Sequence, residues 1–186
     1  MNQQTFSLQP FRKSRRSHQS SLVPDIKITG AIARNENNLL DIYYVLQGDL
    51  TKIEIPEVAD IPARENELWE TTCFEFFIGI KNSLRYWEFN LSPTGNWNIY
   101  KFNGYRQGMR EEPKISLLPF HVEHQLDNFS LKLQLDLDKL VPIRQKLNIA
   151  ISAVVKDKNR NISYWALKHC GDVADFHLRN SFNIEI

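Results

Sequence analysis

Carboxylates and amides lie beside large aromatic residues in two neighbouring stretches of the chain. The first stretch contains Trp69 and Glu75, and the second contains Glu88 and Asn90. Flat aromatic faces can cover the C–H surface of a sugar ring, while carboxylates and amides hydrogen-bond its hydroxyl groups. This combination of side chains predicts a binding surface for a small polar ring, and it is less typical of a catalytic centre.

The positions of these groups depend on strands, because residues alternate between the two faces of a strand. In the second stretch, alternation places Tyr86, Glu88 and Asn90 on one face and Trp87 and Phe89 on the other. We expect the polar face to carry the candidate site and Trp87 to belong to the core.

The same period-two pattern recurs along most of the chain and predicts strands. They cover residues 26–32, 40–46, 73–80, 86–91, 97–102, 120–125, 129–136, 147–155, 163–167 and 181–186. Helical spacing fits residues 138–146 at best, where Pro142 limits a helix to about two turns. The fold class predicted is all-β: an antiparallel β-sandwich, with immunoglobulin-like or jelly-roll-like layers, of about nine or ten strands and at most one short helix.

Length and charge narrow the class of protein further. The chain has 186 residues and a formal net charge of +1, which predicts one main domain and gives no global field for nucleic acid. Residues 1–21 are expected to be a flexible basic segment, and residues 22–186 the ligand-binding domain. The sequence has only two cysteines, which are too few for a disulfide framework. It shows no apparent secretory signal and no apolar run long enough to cross a membrane. We therefore expect a cytoplasmic protein without a membrane span. No oligomeric state is predicted.

Several spaced blocks, taken in order, resemble the DOMON-like domains, especially the group known as MurB-like, which are related to the family-nine carbohydrate-binding modules. The blocks are Leu68-Trp69-Glu70, Cys73-Phe74-Glu75, Tyr86 to Trp97, Tyr105 to Met109, Tyr164 to Leu167 and Asp175-Phe176-His177. The resemblance covers about residues 22–186. It implies a β-sandwich whose relatives bind sugars or haem.

The resemblance also implies roles for individual residues. Trp69 and Glu75 match a tryptophan and a glutamate of the sugar-binding relatives in type and spacing. Asn90 resembles the asparagine that precedes a hairpin turn in those relatives. Trp165 resembles a late tryptophan that could cover the second side of the bound sugar ring. Glu88 departs from the pattern, because the sugar binders have a basic residue there. With the residue types above, the expected saccharide-binding residues are Trp69, Glu75, Glu88, Asn90, Trp97, Arg106, Trp165 and Asp175.

Noncovalent haem b is the alternative ligand, because some DOMON-like relatives hold haem between a methionine and a nitrogen ligand. Here the corresponding candidates are Met109 with His169 or His177. Axial methionine and histidine ligands raise the potential of an electron-transfer haem. No C-x-x-C-H attachment motif occurs in the sequence, so a haem would be bound without a covalent link.

Other interpretations of the polar residues remain open. Glu75 and Glu88 could be a hydrolase's carboxylate pair, or could instead form structural ion pairs with Arg85 or Arg106. Candidate triads combine Ser92 or Ser163 with His169 and Asp172, and a candidate metal set combines His169, Asp172, Asp175 and His177. No nucleophile elbow or other convincing catalytic motif supports an enzyme, and the expected protein has no catalytic residues and no metal.

Overall fold

The computed structural model describes residues 3–12 and 23–186, and its regular secondary structure consists almost entirely of antiparallel strands. The strands are β1 (Gln4–Ser7), β2 (Gln9–Pro10), β3 (Ile26–Arg34), β4 (Leu39–Gly48), β5 (Cys73–Ile80), β6 (Tyr86–Leu91), β7 (Trp97–Phe102), β8 (Arg110–Glu111), β9 (Phe120–His124), β10 (Asn128–Asp136), β11 (Leu147–Lys156), β12 (Ile162–Ala166) and β13 (Ile184–Glu185). The predicted β-sandwich is confirmed.

The strands form two sheets that face each other. The smaller sheet has the order β1-β3-β4-β10-β9, and the larger has the order β2-β12-β11-β5-β6-β7-β8, with β13 pairing beside β11. Consecutive strands such as β5, β6 and β7 are neighbours because short turns connect them, and their bounds are those predicted from the alternation.

Helical structure in the described part of the chain is limited to short 3-10 turns. These are Leu50–Lys52, Leu68–Glu70, Leu137–Lys139 and Arg179–Ser181. The helix predicted near residue 138 is therefore a single 3-10 turn, which Asp136 caps by accepting a hydrogen bond from the Asp138 amide. None of the helical segments described is long and apolar enough to cross a membrane.

The main core lies between the two sheets. The larger sheet contributes the apolar residues that alternate inward on its central strands, including Phe76, Phe89 and Ile151, and the smaller contributes residues such as Ile42 and Leu133. The larger sheet is also covered on its outer face by a second cluster. Its members are Phe77, Tyr86, Tyr100, Phe102, Ala150 and Phe182. Burial on both faces explains why the sequence of β5 is nearly continuously apolar apart from Glu75.

The C-terminal segment covers this outer face and is anchored by Arg179. Its guanidinium lies 4.6 Å from the centroid of the Phe182 ring and donates a hydrogen bond to the Ile80 carbonyl at 3.1 Å. The group also occupies the space above Gly79, where an added Cβ would stand 1.4 Å from Nη1. The glycine therefore provides the space in which the arginine is held against the sheet.

The N-terminal residues depart from the sequence-based expectation that residues 1–21 are a flexible segment. β1 pairs with β3 and β2 with β12, and Phe6 and Leu8 are buried in the core. Two apolar residues in a ten-residue polar context are too few for a periodic pattern, so the pairing was not visible in the sequence. The basic residues 13–22 lie outside the described residues.

Replacing Phe6 tests whether this first strand belongs to the core. The ring packs against Tyr44 at a centroid distance of 5.4 Å. Phe6→Leu is expected to lower the free energy of unfolding by about 1 to 2 kcal/mol, because part of a buried ring is lost. Urea denaturation measures this change, and Thr5→Ala, on the exposed face of the same strand, serves as the control. Equal stability of both variants would contradict the docking of β1.

Candidate functional site

A cavity of about 440 Å³ opens on the outer face of the larger sheet. Five neighbouring strands and three connecting segments each contribute to its lining. The lining residues are Trp69, Glu75, Glu88, Phe102, Arg106, Met109, Val154, Tyr164, Ala174, Phe176 and His177. The lining combines aromatic surfaces with two carboxyl groups, which is the composition predicted for a binding face.

The sheet register brings the two carboxyl groups together. Glu75 of β5 pairs with Asn90 of β6 on one side and with Ser152 of β11 on the other. Glu88 is two residues before Asn90 and therefore points to the same face, diagonally across from Glu75. The alternation predicted for β6 is thus observed, with Trp87 in the core on the opposite face.

Both carboxyl groups are buried, with Glu75 only 2% and Glu88 only 5% exposed. The Ser152 hydroxyl donates to Glu75 Oε2 at 3.3 Å, and the Asn90 amide donates to Glu88 Oε1 at 3.0 Å. Burial raises the pKa of Glu75 well above its usual range, and the neighbouring Glu88 charge raises it further, against the effect of Ser152. Burial raises the pKa of Glu88 to about 7, opposed by the Asn90 hydrogen bond and by the charge of Arg106.

A chain of polar contacts extends from Glu88 across the cavity. The Arg106 amide donates to the Tyr86 hydroxyl oxygen at 3.1 Å, and that hydroxyl lies 2.8 Å from His177 Nδ1. A phenol oxygen can accept the amide hydrogen bond and still donate its own proton, so Tyr86 can donate to Nδ1, and the histidine proton then lies on Nε2. Nε2 lies 3.8 Å from Glu88 Oε2.

The His177 and Glu88 side chains do not form an ion pair at neutral pH despite their proximity. Burial lowers the pKa of His177 to about 4, and the Arg106 charge contributes to this change while Asp175 opposes it. The imidazole is therefore neutral while Glu88 is near the middle of its titration. Burial likewise raises the pKa of the Tyr86 hydroxyl to about 12, against the Arg106 amide hydrogen bond.

An ion pair closes the rim of the cavity. Arg106 Nη2 lies 3.0 Å from Asp175 Oδ1, and the Tyr105 hydroxyl donates to the other carboxylate oxygen. Arg106 adopts a left-handed backbone conformation with φ of 52°. The ion pair with Asp175 and the hydrogen bond from its backbone amide to Tyr86 hold Arg106 in a conformation that non-glycine residues adopt infrequently.

Four of the predicted binding residues lie on the cavity: Trp69, Glu75, Glu88 and Arg106. Trp69 belongs to the 3-10 turn Leu68–Glu70 and packs edge-on against Tyr100 at a centroid distance of 5.7 Å. Because the turn leaves this ring partly exposed, its remaining surface is available to a ligand.

Two further predicted residues, Asn90 and Asp175, are absent from the lining but contact residues that belong to it. Asn90 is fully buried and orients Glu88, while its side-chain oxygen lies 3.7 Å from Cys73 Sγ. Asp175 accepts hydrogen bonds from Arg106 and Tyr105. Asn90 and Asp175 were predicted to contact a ligand directly, but neither lines the cavity. Their contacts instead position Glu88 and Arg106.

The structure corrects the placement of two tryptophans. Trp97 and Trp165 were predicted to contact the ligand, but both are buried in the core between the sheets. Trp165 pairs with Ala153, an inward residue of β11, so its ring points away from the cavity. The neighbouring residue Tyr164 faces outward and lines the cavity in its place.

The alternative haem ligands separate into two groups. Met109 and His177 line the cavity, whereas His169 lies apart from it with Nε2 2.8 Å from the Gln9 carbonyl oxygen. His169 is therefore misplaced as a ligand at this site. The described residues also contain no cluster of three or more histidine, cysteine, aspartate or glutamate side chains suited to a metal ion.

The serine candidates for a catalytic triad have other partners. The Ser92 hydroxyl accepts bonds from Thr94 in its own turn, and the Ser163 hydroxyl donates to the Val155 carbonyl and accepts from Trp165. Neither serine contacts His169, whose ring nitrogen faces Gln9.

Sequence reasoning missed most of the apolar wall. Phe102, Val154, Tyr164, Ala174 and Phe176 line the cavity but were not predicted as site residues. Every second residue of β7 and of β11 points to the same outer face as Glu88. This alternation could have indicated Phe102 and Val154 once Glu88 had been assigned to the site. The position of Phe176 depends on how the C-terminal segment folds over the sheet, which has no periodic signal.

Comparison with known proteins identifies the fold. No protein-family model and no curated protein sequence matches the chain. Among solved structures, the chain is similar to the crystal structure of a candidate carbohydrate-binding protein from Bacteroides uniformis, with a TM-score of 0.67. The match covers 96% of this chain and 84% of that chain at 12% sequence identity. At this identity the likeness establishes a shared fold.

Proposed function

We propose that the protein binds a saccharide noncovalently in the cavity on the outer face of the larger sheet. The observation that carries the proposal is the pairing of buried carboxyl groups, Glu75 and Glu88, with the partly exposed ring of Trp69 on one cavity wall. The ring provides a flat apolar face, and the carboxyl groups provide donors and acceptors for hydroxyl groups. The cavity volume is within the usual range for small-molecule sites.

Membership of the DOMON-like domains, in the MurB-like group, is part of the same proposal. The β-sandwich and the order of the sequence blocks support it, as does the shared fold with a candidate carbohydrate-binding protein. Because binding sites differ among proteins of one fold, the side chains of the cavity indicate the ligand class more directly than the fold does.

Tryptophan fluorescence provides a direct test, because Trp69 lines the cavity while Trp87, Trp97 and Trp165 are in the core. A saccharide that binds is expected to change the emission saturably in the parent protein and to lose this effect in Trp69→Phe. Tyr43→Phe, a half-exposed aromatic position on the smaller sheet, is the matched control and should respond like the parent. A panel of mono- and oligosaccharides that leaves the emission unchanged would overturn the proposal.

Haem is a second candidate ligand because Met109 and His177 line the same cavity. The residues fit in type, because the imidazole is neutral at pH 7 and Tyr86 contacts its Nδ1, leaving Nε2 as the ring nitrogen toward Glu88. Ligation through Nε2 would require its proton to move to Nδ1. Bound haem would supply one-electron transfer chemistry.

Titration of the purified protein with haem separates the two candidates. A haem complex is expected to show a shifted Soret band in the parent protein and to lose it in His177→Ala. An unchanged spectrum in the parent protein would exclude the haem candidate and leave the saccharide proposal standing.

A further inference from the structure

The two carboxyl groups of the cavity lack a directly paired cation. Glu75 and Glu88 are both more than nine-tenths buried, and among the residues described no lysine or arginine forms a salt bridge with either. Arg106, the cation of the lining, is paired with Asp175 at 3.0 Å. The cavity therefore contains two buried carboxyl groups that form no direct ion pair with a lysine or arginine of the described residues.

Buried charges are costly when no opposite charge accompanies them, so such carboxyl groups either hold protons or await a cation. His177, the basic group nearest to Glu88, is neutral at physiological pH. The hydrogen bonds from Ser152 and Asn90 satisfy one oxygen of each carboxyl group. The partner that would compensate an ionised carboxylate must therefore come from the ligand.

The walls of the cavity favour a positive charge as well. Trp69, Phe102, Tyr164 and Phe176 surround the carboxyl groups with aromatic rings. The faces of such rings attract ammonium groups, and the attraction is stronger where water is excluded. Carboxyl groups and aromatic rings in one lining form an arrangement suited to an organic cation.

We infer that the ligand of this cavity carries a protonated amine, and that within the saccharide class it is an amino sugar with a free ammonium group. This inference rests on the proposed saccharide binding. The ammonium would lie against Glu75 and Glu88, donating to the oxygens that face the cavity. The apolar face of the sugar ring would lie on Trp69.

The test compares sugars that differ at one substituent, using calorimetric titration at pH 7. Glucosamine is compared with glucose and N-acetylglucosamine, and galactosamine with galactose. The amines are expected to bind about ten- to a hundredfold more tightly than their neutral counterparts, which corresponds to a charge-assisted hydrogen bond. In Glu75→Gln and Glu88→Gln this ratio should fall to about two or less, while Glu123→Gln, an exposed carboxylate of β9, should retain the parent ratio.

The outcomes separate this inference from the function on which it rests. If glucose or galactose binds as tightly as its amine, the inference is wrong and saccharide binding stands. If no sugar of the panel binds, both proposals fail. Thermal melting of each glutamine variant establishes that it is folded, so that a lost preference cannot result from unfolding.

Discussion

The Glu88→Gln variant is expected to be more stable than the parent protein by up to about 3 kcal/mol at pH 8.5, and by only about 1 kcal/mol at pH 5. The folded-state pKa of Glu88 is raised to about 7 from an ordinary value of 4.5, so the folded protein holds this proton more tightly than the unfolded chain. Stability from this group is therefore fully present below about pH 4.5 and is lost as pH rises through 7. Glutamine removes the charge and retains the acceptor for Asn90.

Urea denaturation at pH 5, 7 and 8.5 measures the effect. The lowered pKa of His177 acts in the opposite direction, since its contribution is lost as pH falls from 6.5 through about 4. Parent and variant share this histidine, so it largely cancels in their difference. Glu123→Gln supplies the control for an exposed carboxylate. A Glu88→Gln variant that is less stable than the parent at pH 8.5 would mean that the ionised carboxylate has a stabilising partner in the folded protein.

Trp87→Ala is expected to lower the free energy of unfolding by about 4 to 8 kcal/mol. Removal of a buried aromatic ring costs about 3 to 5 kcal/mol, and a buried polar group left without its partner adds about 1 to 3 kcal/mol. That group is Glu112, which is buried and accepts a bond from the Trp87 indole at 2.9 Å. The loss approaches the whole stability of many domains.

Trp69→Ala is the matched comparison for Trp87→Ala, because the same side chain is removed from the cavity wall and not from the core. Its expected cost is about 1 to 2 kcal/mol, since the ring is partly exposed. Chemical denaturation of the two variants under one condition measures both values. Similar losses in both would contradict the assignment of Trp87 to the core and Trp69 to the site.

Much of the larger sheet could be predicted because its strands alternate without interruption. On β6, the polar residues Glu88 and Asn90 could be assigned to one face and Trp87 to the other from spacing alone. The N-terminal strands could not be predicted, since β1 and β2 are defined by partners about 25 and 155 residues away, on β3 and β12. Pairing over such distances leaves little trace in a short local sequence.

The candidate site was only half predictable for a related reason. Alternation on β12 separates Tyr164 from Trp165 but does not say which of them faces inward, and resemblance favoured the wrong one. The register against β11 decides the matter, because Trp165 lies opposite Ala153 in the core. His177 was named as a haem ligand, but its contacts with Tyr86 and Glu88 depend on the path of a loop.

The anchoring of Arg179 over Gly79 has a consequence for ligand binding at a distance. The segment that Arg179 fastens to the end of the central strand β5 also contributes Phe176 and His177 to the cavity lining. Local opening of this segment would detach part of the wall while the rest of the sandwich remains folded. A ligand that bound only the closed form would shift this equilibrium toward closure, and its affinity for the cavity would then include the free energy of closing the segment. Residue 79, which does not line the cavity, can thereby set the strength of binding through the fraction of molecules in which the wall is complete.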